Sequence, residues 1–369
     1  MFDPYFVLSF LFGSVFTTFF LLNGIREIAV NFNLYGPNKK RDLHVRPIPS
    51  ILGSGFFISL VLGTFFYSNT FNEFIEYETL IVSTLILTLI GIRDDLRIIR
   101  SFEKLIFQIL AIGILIYFNP NLMADNLYGF LGIYDIAPII SFPFTIFIGI
   151  SMINSFNLID GIDGNAAILG IISFSCFAIL FWLIDNTPFF GLSILFIGIL
   201  IAYLPINFSK TKKGFMGDTG SMIVGYMLYI CTLTFINSQS IYLENILPAK
   251  SLLILGPLTI FSIPIIDTLS IYSYRIKIGK SPLAADNFHT HHMTIRFFST
   301  SHLISSLFLG LIGLVIVIII SSLILKIPPF WSITAYFIII TLCILISFRY
   351  RQKLRKRLGN RKGNVEVID

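Results

Sequence analysis

The sequence predicts an all-α polytopic membrane protein of about eleven transmembrane helices, with its N-terminus outside and its C-terminus in the cytoplasm. Three observations carry this expectation. Apolar residues make up 55% of the chain and charged residues only 12%, at a mean hydropathy of +0.85, whereas a soluble globule carries about 25% charged residues. The apolar residues gather in runs near bilayer-spanning length, about 17 to 25 residues. Of the 26 Lys and Arg, all but Lys250 and Lys326 fall in alternate connections or in the tail. The positive-inside rule makes that rich side cytoplasmic.

The spans are expected near Pro4 to Gly24, Ile51 to Tyr67, Thr79 to Ile92, Leu105 to Phe118, Pro138 to Ile153, Asn165 to Ile184, Phe189 to Ile206, Gly220 to Ile236, Ser251 to Tyr274, Leu303 to Leu325 and Pro329 to Phe348. No hydrophilic block is long enough to fold a second domain, so residues 1–348 read as one membrane domain and 349–369 as a basic cytoplasmic tail. The first run lacks a basic leader and a small-residue cleavage pattern, and reads as a retained helix. Cys176, Cys231 and Cys343 form no disulfide or metal spacing. The net charge of +6 needs no nucleic acid to explain it. The strip Arg349 to Lys362 suits a juxtamembrane position beside anionic lipid.

Against this background the stretch Asn154-Ser155-Phe156-Asn157-Leu158-Ile159-Asp160-Gly161-Ile162-Asp163-Gly164 stands out. Two amides and two carboxylates recur at three-residue spacing, which puts neighbours together on a helical surface. Gly161 and Gly164 permit a break or a close backbone approach to a ligand. Either a polar connection between spans or a binding or metal site explains it.

The other polar clusters fall on the same predicted side. The first loop holds Gly36, Lys39, Lys40, Arg41, His44 and Arg46 before Gly53-Ser54-Gly55, which suits phosphate contact or a topology anchor. Asp94 and Asp95 follow Gly91-Ile92-Arg93, with Lys104 and Gln108 beyond. Adjacent carboxylates repel unless a cation or proton intervenes. They are candidates for magnesium ligation or for a carboxyl of raised pKa, the alternative being a solvated pair balanced by Arg93 and Arg97. In Gly217-Asp218-Thr219-Gly220-Ser221 an Asp is bracketed by glycines at a predicted helix start. A free helix N-terminus attracts anions and a nearby carboxylate holds a hard cation; helix capping by Asp218 or Thr219 competes. His289, His291 and His292 cluster beside Asp286 and Asn287. With no Cys partner, hydrogen bonding to phosphate or nucleotide suits them better than zinc. Asp267 lies within a span, a functional candidate by default.

Carboxylates, amides, glycines, histidines and cations meeting one side of a bilayer suit a nucleotide diphosphate with magnesium, and the apolar helices point to a lipid as the second reactant. A secondary transporter of an anionic solute is the rival reading. It expects polar groups at midplane and repeated halves; only Asp267 lies inside a span and no repeat is visible.

These residues resemble the polyprenyl-phosphate N-acetylhexosamine-1-phosphate transferases of glycosyltransferase family 4. The stretches Gly91 to Leu96 with Lys104 and Gln108, Asn154 to Gly164, Phe215 to Ser221 and Asp286 to His292 look like the family's four cytoplasmic signatures, in order. The His-Thr-His-His form is more similar to the WecA/TagO-like branch than to the related peptidoglycan enzyme MraY. The resemblance implies transfer of a sugar phosphate, by default from UDP-N-acetylglucosamine, to undecaprenyl phosphate with release of UMP. It implies a cytoplasmic-membrane enzyme that starts a cell-surface glycan and uses magnesium, with manganese as the alternative; a homodimer is compatible with it. It places Asp94, Asp95, Asp160 and Asp163 in catalysis and Asp218 with Asp94 at the metal. Substrate contacts fall to Lys104, Asn154, Asn157, Asp160, Gly217, His44, His289, His291 and His292. The chain departs from the family pattern at Tyr35, where an acidic residue is usual, and at Gly53-Ser54-Gly55, where Gly-Gly is usual.

Overall fold

The computed structural model describes residues 3–36, 48–71, 78–238, 250, 252–281, 293–295 and 301–361. The apolar runs fold as helices because a backbone in hydrocarbon must satisfy its own polar groups. In chain order they are α1 (Pro4–Asn31), α2 (Gly53–Phe71), α3 (Glu78–Leu96), α4 (Ser101–Phe118), α5 (Pro138–Ile159), α6 (Asn165–Leu183), α7 (Thr187–Asn207), α8 (Gly217–Ile236), α9 (Leu252–Ile260), α10 (Ser262–Lys277), α11 (His302–Ile324) and α12 (Pro329–Arg361). Apart from a residue or two at its ends, the described part of each run read as a span lies on one of these helices or on the α9–α10 pair. Among the described residues, 8 helices are long and apolar enough to cross a membrane, and the bent pair α9–α10 makes up to 9. The apolar part of α2 is shorter, Gly53–Tyr67, and α3 ends in Arg93, Asp94 and Asp95. The chain is a multi-pass membrane protein.

Helix α8 is the core of the bundle. Its span is 94% buried, against 17% for α12 at the periphery, and it packs on α2, α3, α5, α6 and α9. The close approach of α3 depends on Gly91, where a Cβ would run into the backbone of Thr219 on α8. Helices α9 and α10 meet at a 74° bend at Phe261. Pro264, with no N–H to give, sits in the first turn of α10, where a helix tolerates it and where the preceding helix ends.

The structure corrects the all-α expectation in one place. Between α4 and α5 lies a small antiparallel hairpin, β1 (Asn126–Phe130) and β2 (Ile133–Asp135), with Asn126 opposite Asp135. Its turn uses Gly129 and Gly132 at φ +82 and +79, and Asn126 Nδ2 donates to Asp135 Oδ1 at 2.7 Å. Helix ends also differ from the expected span ends. Asp94 and Asp95 lie on the last turn of α3, and Asn154 and Asn157 on the last turns of α5. Helix α12 continues past Phe348 to Arg361. Arg351, which the sequence assigns to the tail, is fully buried and donates from Nη2 to Asp267 Oδ1 at 3.2 Å. That pairing gives the intramembrane Asp267 a structural job, clamping α12 onto α10, because a buried carboxylate without a cation would be strongly unfavourable.

Candidate active site

The ends of the helices bring the sequence-predicted polar residues to one end of the bundle. Asp94 and Asp95 come from the C-terminal turn of α3 and Lys104 from the first turns of α4. Asn154 and Asn157 come from the end of α5, Asp160 and Asp163 from the connection to α6, and Gly217 and Asp218 from the start of α8. His44, His289, His291 and His292 lie outside the described residues.

Lys104 is the cation of this cluster. Its ammonium is 3.2 Å from Asp94 Oδ2 and also pairs with Asp218 Oδ2, so one positive charge bridges two carboxylates from different helices. Arg93, the sequence-level candidate for balancing the Asp pair, instead meets Glu103 at 3.4 Å on an exposed surface. Beneath this bridge lie two amides. Asn157 Nδ2 donates to Ser221 Oγ at 2.8 Å, and Asn154 pairs reciprocally with the buried Gln108 at 3.0 and 3.3 Å. These contacts tie α4, α5 and α8 together below the carboxylates.

The two adjacent aspartates have separate surroundings. Asp94 is partly open, its side chain 14% exposed, and faces Lys104. Asp95 is buried and turns into the start of α8. Its Oδ1 accepts from the Asp218 N–H at 2.7 Å, and its Oδ2 accepts from the Thr219 N–H at 3.1 Å and the Thr219 hydroxyl at 2.6 Å. The sequence left open whether this helix start was a free anion site or was capped by Asp218 or Thr219. It is capped from another helix, by Asp95, which consumes the N–H donors an anion would use. Gly217 is required beside that cap: it has φ +66, and a Cβ there would collide with the Asp95 carboxylate and the Ser50 carbonyl.

Among the described residues no three His, Cys, Asp or Glu side chains converge on one point. The donors present nevertheless fit a hard cation. Asp94 and Asp218 already share one positive charge, that of Lys104, and the neighbouring Ser221 and Asn157 add oxygen rather than sulfur or imidazole donors. Magnesium commonly takes only one or two protein carboxylates and completes its shell with substrate phosphates and water.

Asp160 and Asp163 separate by environment. Burial, with Asp218 and Asp163 nearby, pushes Asp160 up to about 7. Burial also opposes charge on Asp163, but hydrogen bonds from His302 and Lys213 overcome it and hold that carboxyl below its usual range. A raised carboxyl binds its proton more tightly in the native than in the unfolded state. Its destabilising effect therefore grows as pH rises from about 4 and is complete above about 7. Asp160→Asn is thus expected to raise the unfolding temperature of the ligand-free protein at pH 8 by the equivalent of roughly 2 kcal/mol, at about 1.4 kcal/mol per unit with allowance for partial exposure. Thermal scans should show that gain shrinking toward pH 4. An equal gain at both pH values would contradict this account of Asp160.

The profile of glycosyl transferase family 4 matches residues 77–236, from the start of α3 to the end of α8. That segment contains every described member of the carboxylate, lysine and amide cluster. Over that segment the chain is similar to glycosyl transferase family 4. Relatives extend the family likeness beyond the matched segment. A probable undecaprenyl-phosphate N-acetylglucosaminyl 1-phosphate transferase of Bacillus subtilis is 29% identical over 90% of this chain and 89% of its own length. A decaprenyl-phosphate N-acetylglucosaminephosphotransferase of Mycolicibacterium smegmatis is 29% identical over 76% of this chain and 73% of its own. An undecaprenyl-phosphate alpha-N-acetylglucosaminyl 1-phosphate transferase of Escherichia coli O157:H7 is 28% identical over 78% and 76%.

The site also includes residues that sequence reasoning missed. His302, the first residue of α11, and Lys213 both reach Asp163. Asn207, at the end of α7, accepts from the Gly164 N–H at 2.6 Å. Lys213 is visible in the sequence only as one of several loop cations, and His302 only as a lone histidine before an apolar run.

Proposed function

We propose that this chain transfers N-acetylglucosamine 1-phosphate, or a closely related HexNAc 1-phosphate, from a UDP-sugar to undecaprenyl phosphate or another polyprenyl phosphate. The products are polyprenyl-diphospho-sugar and UMP, and the reaction starts a cell-surface glycan. The observation that carries this reading is the Asp94–Lys104–Asp218 bridge at one end of an apolar bundle, inside the segment that matches the family. The relatives named above supply the substrate class.

In this reading an oxygen of the lipid phosphate attacks the sugar-bearing phosphorus in line. The bond from that phosphorus to the oxygen it shares with the uridine phosphate breaks, and UMP leaves with that oxygen and its electron pair. Asp94, partly open and adjacent to Lys104, takes the remaining proton of the attacking lipid phosphate. Lys104 offsets negative charge between the reactants. Magnesium, or manganese, held by Asp218 and Asp94 would supply further neutralisation at the diphosphate. The Asn154, Asn157 and Gln108 amides hold the α5 and α8 ends at a fixed separation beneath the reactants. Asp160 faces the same site from the α5–α6 connection.

We place this site on the cytoplasmic face of the inner membrane, with eleven spans and the N-terminus outside. The distribution of Lys and Arg supports that orientation, with 24 of 26 on the side of the site. One experiment tests reaction and orientation together. Inside-out vesicles bearing the protein should move labelled sugar phosphate from added UDP-N-acetylglucosamine into extractable lipid, and a chelator should stop it. Sealed right-side-out vesicles should not label. No labelled lipid with any UDP-HexNAc, but solute flux instead, would favour a transporter; labelling only in right-side-out vesicles would reverse the orientation.

A further inference from the structure

One polar cluster lies beside the Asp94–Lys104–Asp218 bridge without forming part of it. Asp163 Oδ2 receives Lys213 Nζ at 2.6 Å and lies 3.0 Å from His302 Nδ1. The backbone N–H of Asp163 meets the same Nδ1 at 3.3 Å. One turn along α11, the Ser306 hydroxyl donates to the Asp163 carbonyl at 2.9 Å. The next residue, Gly164, is held by Asn207. The Asp163 and Lys213 side chains are 13% and 16% exposed, so these bonds are largely sheltered from water.

Four side chains from three separate places in the chain thus fix two consecutive residues. With Lys213 and His302 both on one oxygen, Asp163 is committed to holding its loop in place. Asp160, three residues earlier on the same connection, is the member of that loop that feels the charge of Asp218. A loop held at Asp163 and Gly164 is therefore what sets where the Asp160 carboxyl sits relative to Asp218.

We propose that His302 is a positioning residue for the sugar-nucleotide half of the reaction: with Lys213 it locks Asp163, and through Asp163 it orients Asp160 toward the diphosphate. This rests on the transfer reaction proposed above. Helix α11 thereby reaches into the site although it lies outside the segment that matches the family. Partners that orient a functional group from behind typically cost about 10–100-fold in affinity or activity when lost.

The test is binding and kinetics of the full-length protein with UDP-N-acetylglucosamine. His302→Ala should raise the KM for UDP-N-acetylglucosamine, and its Kd measured by calorimetry without lipid, by about tenfold or more. The KM for polyprenyl phosphate should stay within about twofold. His302→Asn, which keeps a hydrogen-bonding group near the Nδ1 position, should recover most of the loss. Lys213→Met should give the same split between the two substrates, and the double variant should be less impaired than the product of the singles, because both act on one oxygen. A His302→Ala protein that binds the nucleotide normally, or one in which both KM values rise together, overturns the assignment. If His302→Ala fails to fold, the same outcomes are read from Lys213→Met. Wild-type protein with no affinity for any UDP-HexNAc overturns the proposed reaction itself, and the role of His302 with it.

Discussion

Asp218→Asn is expected to lower sugar-phosphate transfer by about a thousandfold or more, equivalent to about 4 kcal/mol of transition-state stabilisation, while leaving the protein folded. The argument is electrostatic and local. Asp218 sits in the first turn of α8, its carboxylate paired with Lys104 and its backbone N–H given to Asp95. The amide of asparagine preserves shape and backbone capping but removes the charge. Lys104 then has Asp94 alone, and in the proposed reaction a cation at the diphosphate would lose one of the two carboxylates that would hold it. Because the fold of α8 is set by the buried face of the helix and by Asp95, the variant should unfold within a few degrees of wild type. Labelled-lipid formation measured over a magnesium series checks this. Activity above about one-tenth of wild type with an unchanged magnesium dependence would remove Asp218 from the metal role. Rescue at raised magnesium would instead mean weakened binding of the ion.

Much of this was legible in the sequence, and what was not has physical reasons. The described part of every apolar run read as a span is helical apart from a residue or two at its ends, one run as the bent pair α9–α10, because a hydrocarbon-length run has few alternatives. The signatures around Asp94, Asn154 to Asp163 and Asp218 fell on one side of the bilayer through Lys and Arg counting, and the fold brings them to one end of the bundle. The hairpin at Asn126 to Asp135 was missed because its strands are 5 and 3 residues, too short for alternation to stand out beside long apolar runs. Arg351 looked like one more tail cation; only the fold of α10 against α12 shows that it neutralises Asp267. His302 carried no spacing signal, and the denser group at His289 to His292 drew the reading instead. Above all, two adjacent aspartates look alike in a sequence. The difference between Asp94 and Asp95 is which helix each one faces.

That difference supplies a contrast of large expected effects. Asp95→Asn should destabilise the protein by about 2–3 kcal/mol, whereas Asp94→Asn should leave stability nearly unchanged and lower transfer by on the order of a thousandfold. Asp95 accepts three hydrogen bonds from Asp218 and Thr219 while almost wholly buried. Hydrogen bonds to a charged group are worth about 1.5–3 kcal/mol each, and an unsatisfied buried donor adds a desolvation penalty. An amide in its place offers one acceptor oxygen and turns an NH2 toward a backbone N–H. The first turn of α8 should then fray, taking Asp218 out of position. Asp94 accepts from the Ile99 N–H at 3.3 Å and from Lys104. Asparagine can keep the first of these, and removing the charge also relieves repulsion from Asp218. Thermal unfolding in detergent and lipid labelling, measured on both variants, separate the two roles. Thr219→Val should be partly destabilised, and the loss should not add to that of Asp95→Asn, since both remove the 2.6 Å bond. If Asp95→Asn melts like wild type and loses transfer as fully as Asp94→Asn, then Asp95 works on the substrate or metal, and the start of α8 must be held by its backbone packing against Gly53 and Gly91 instead.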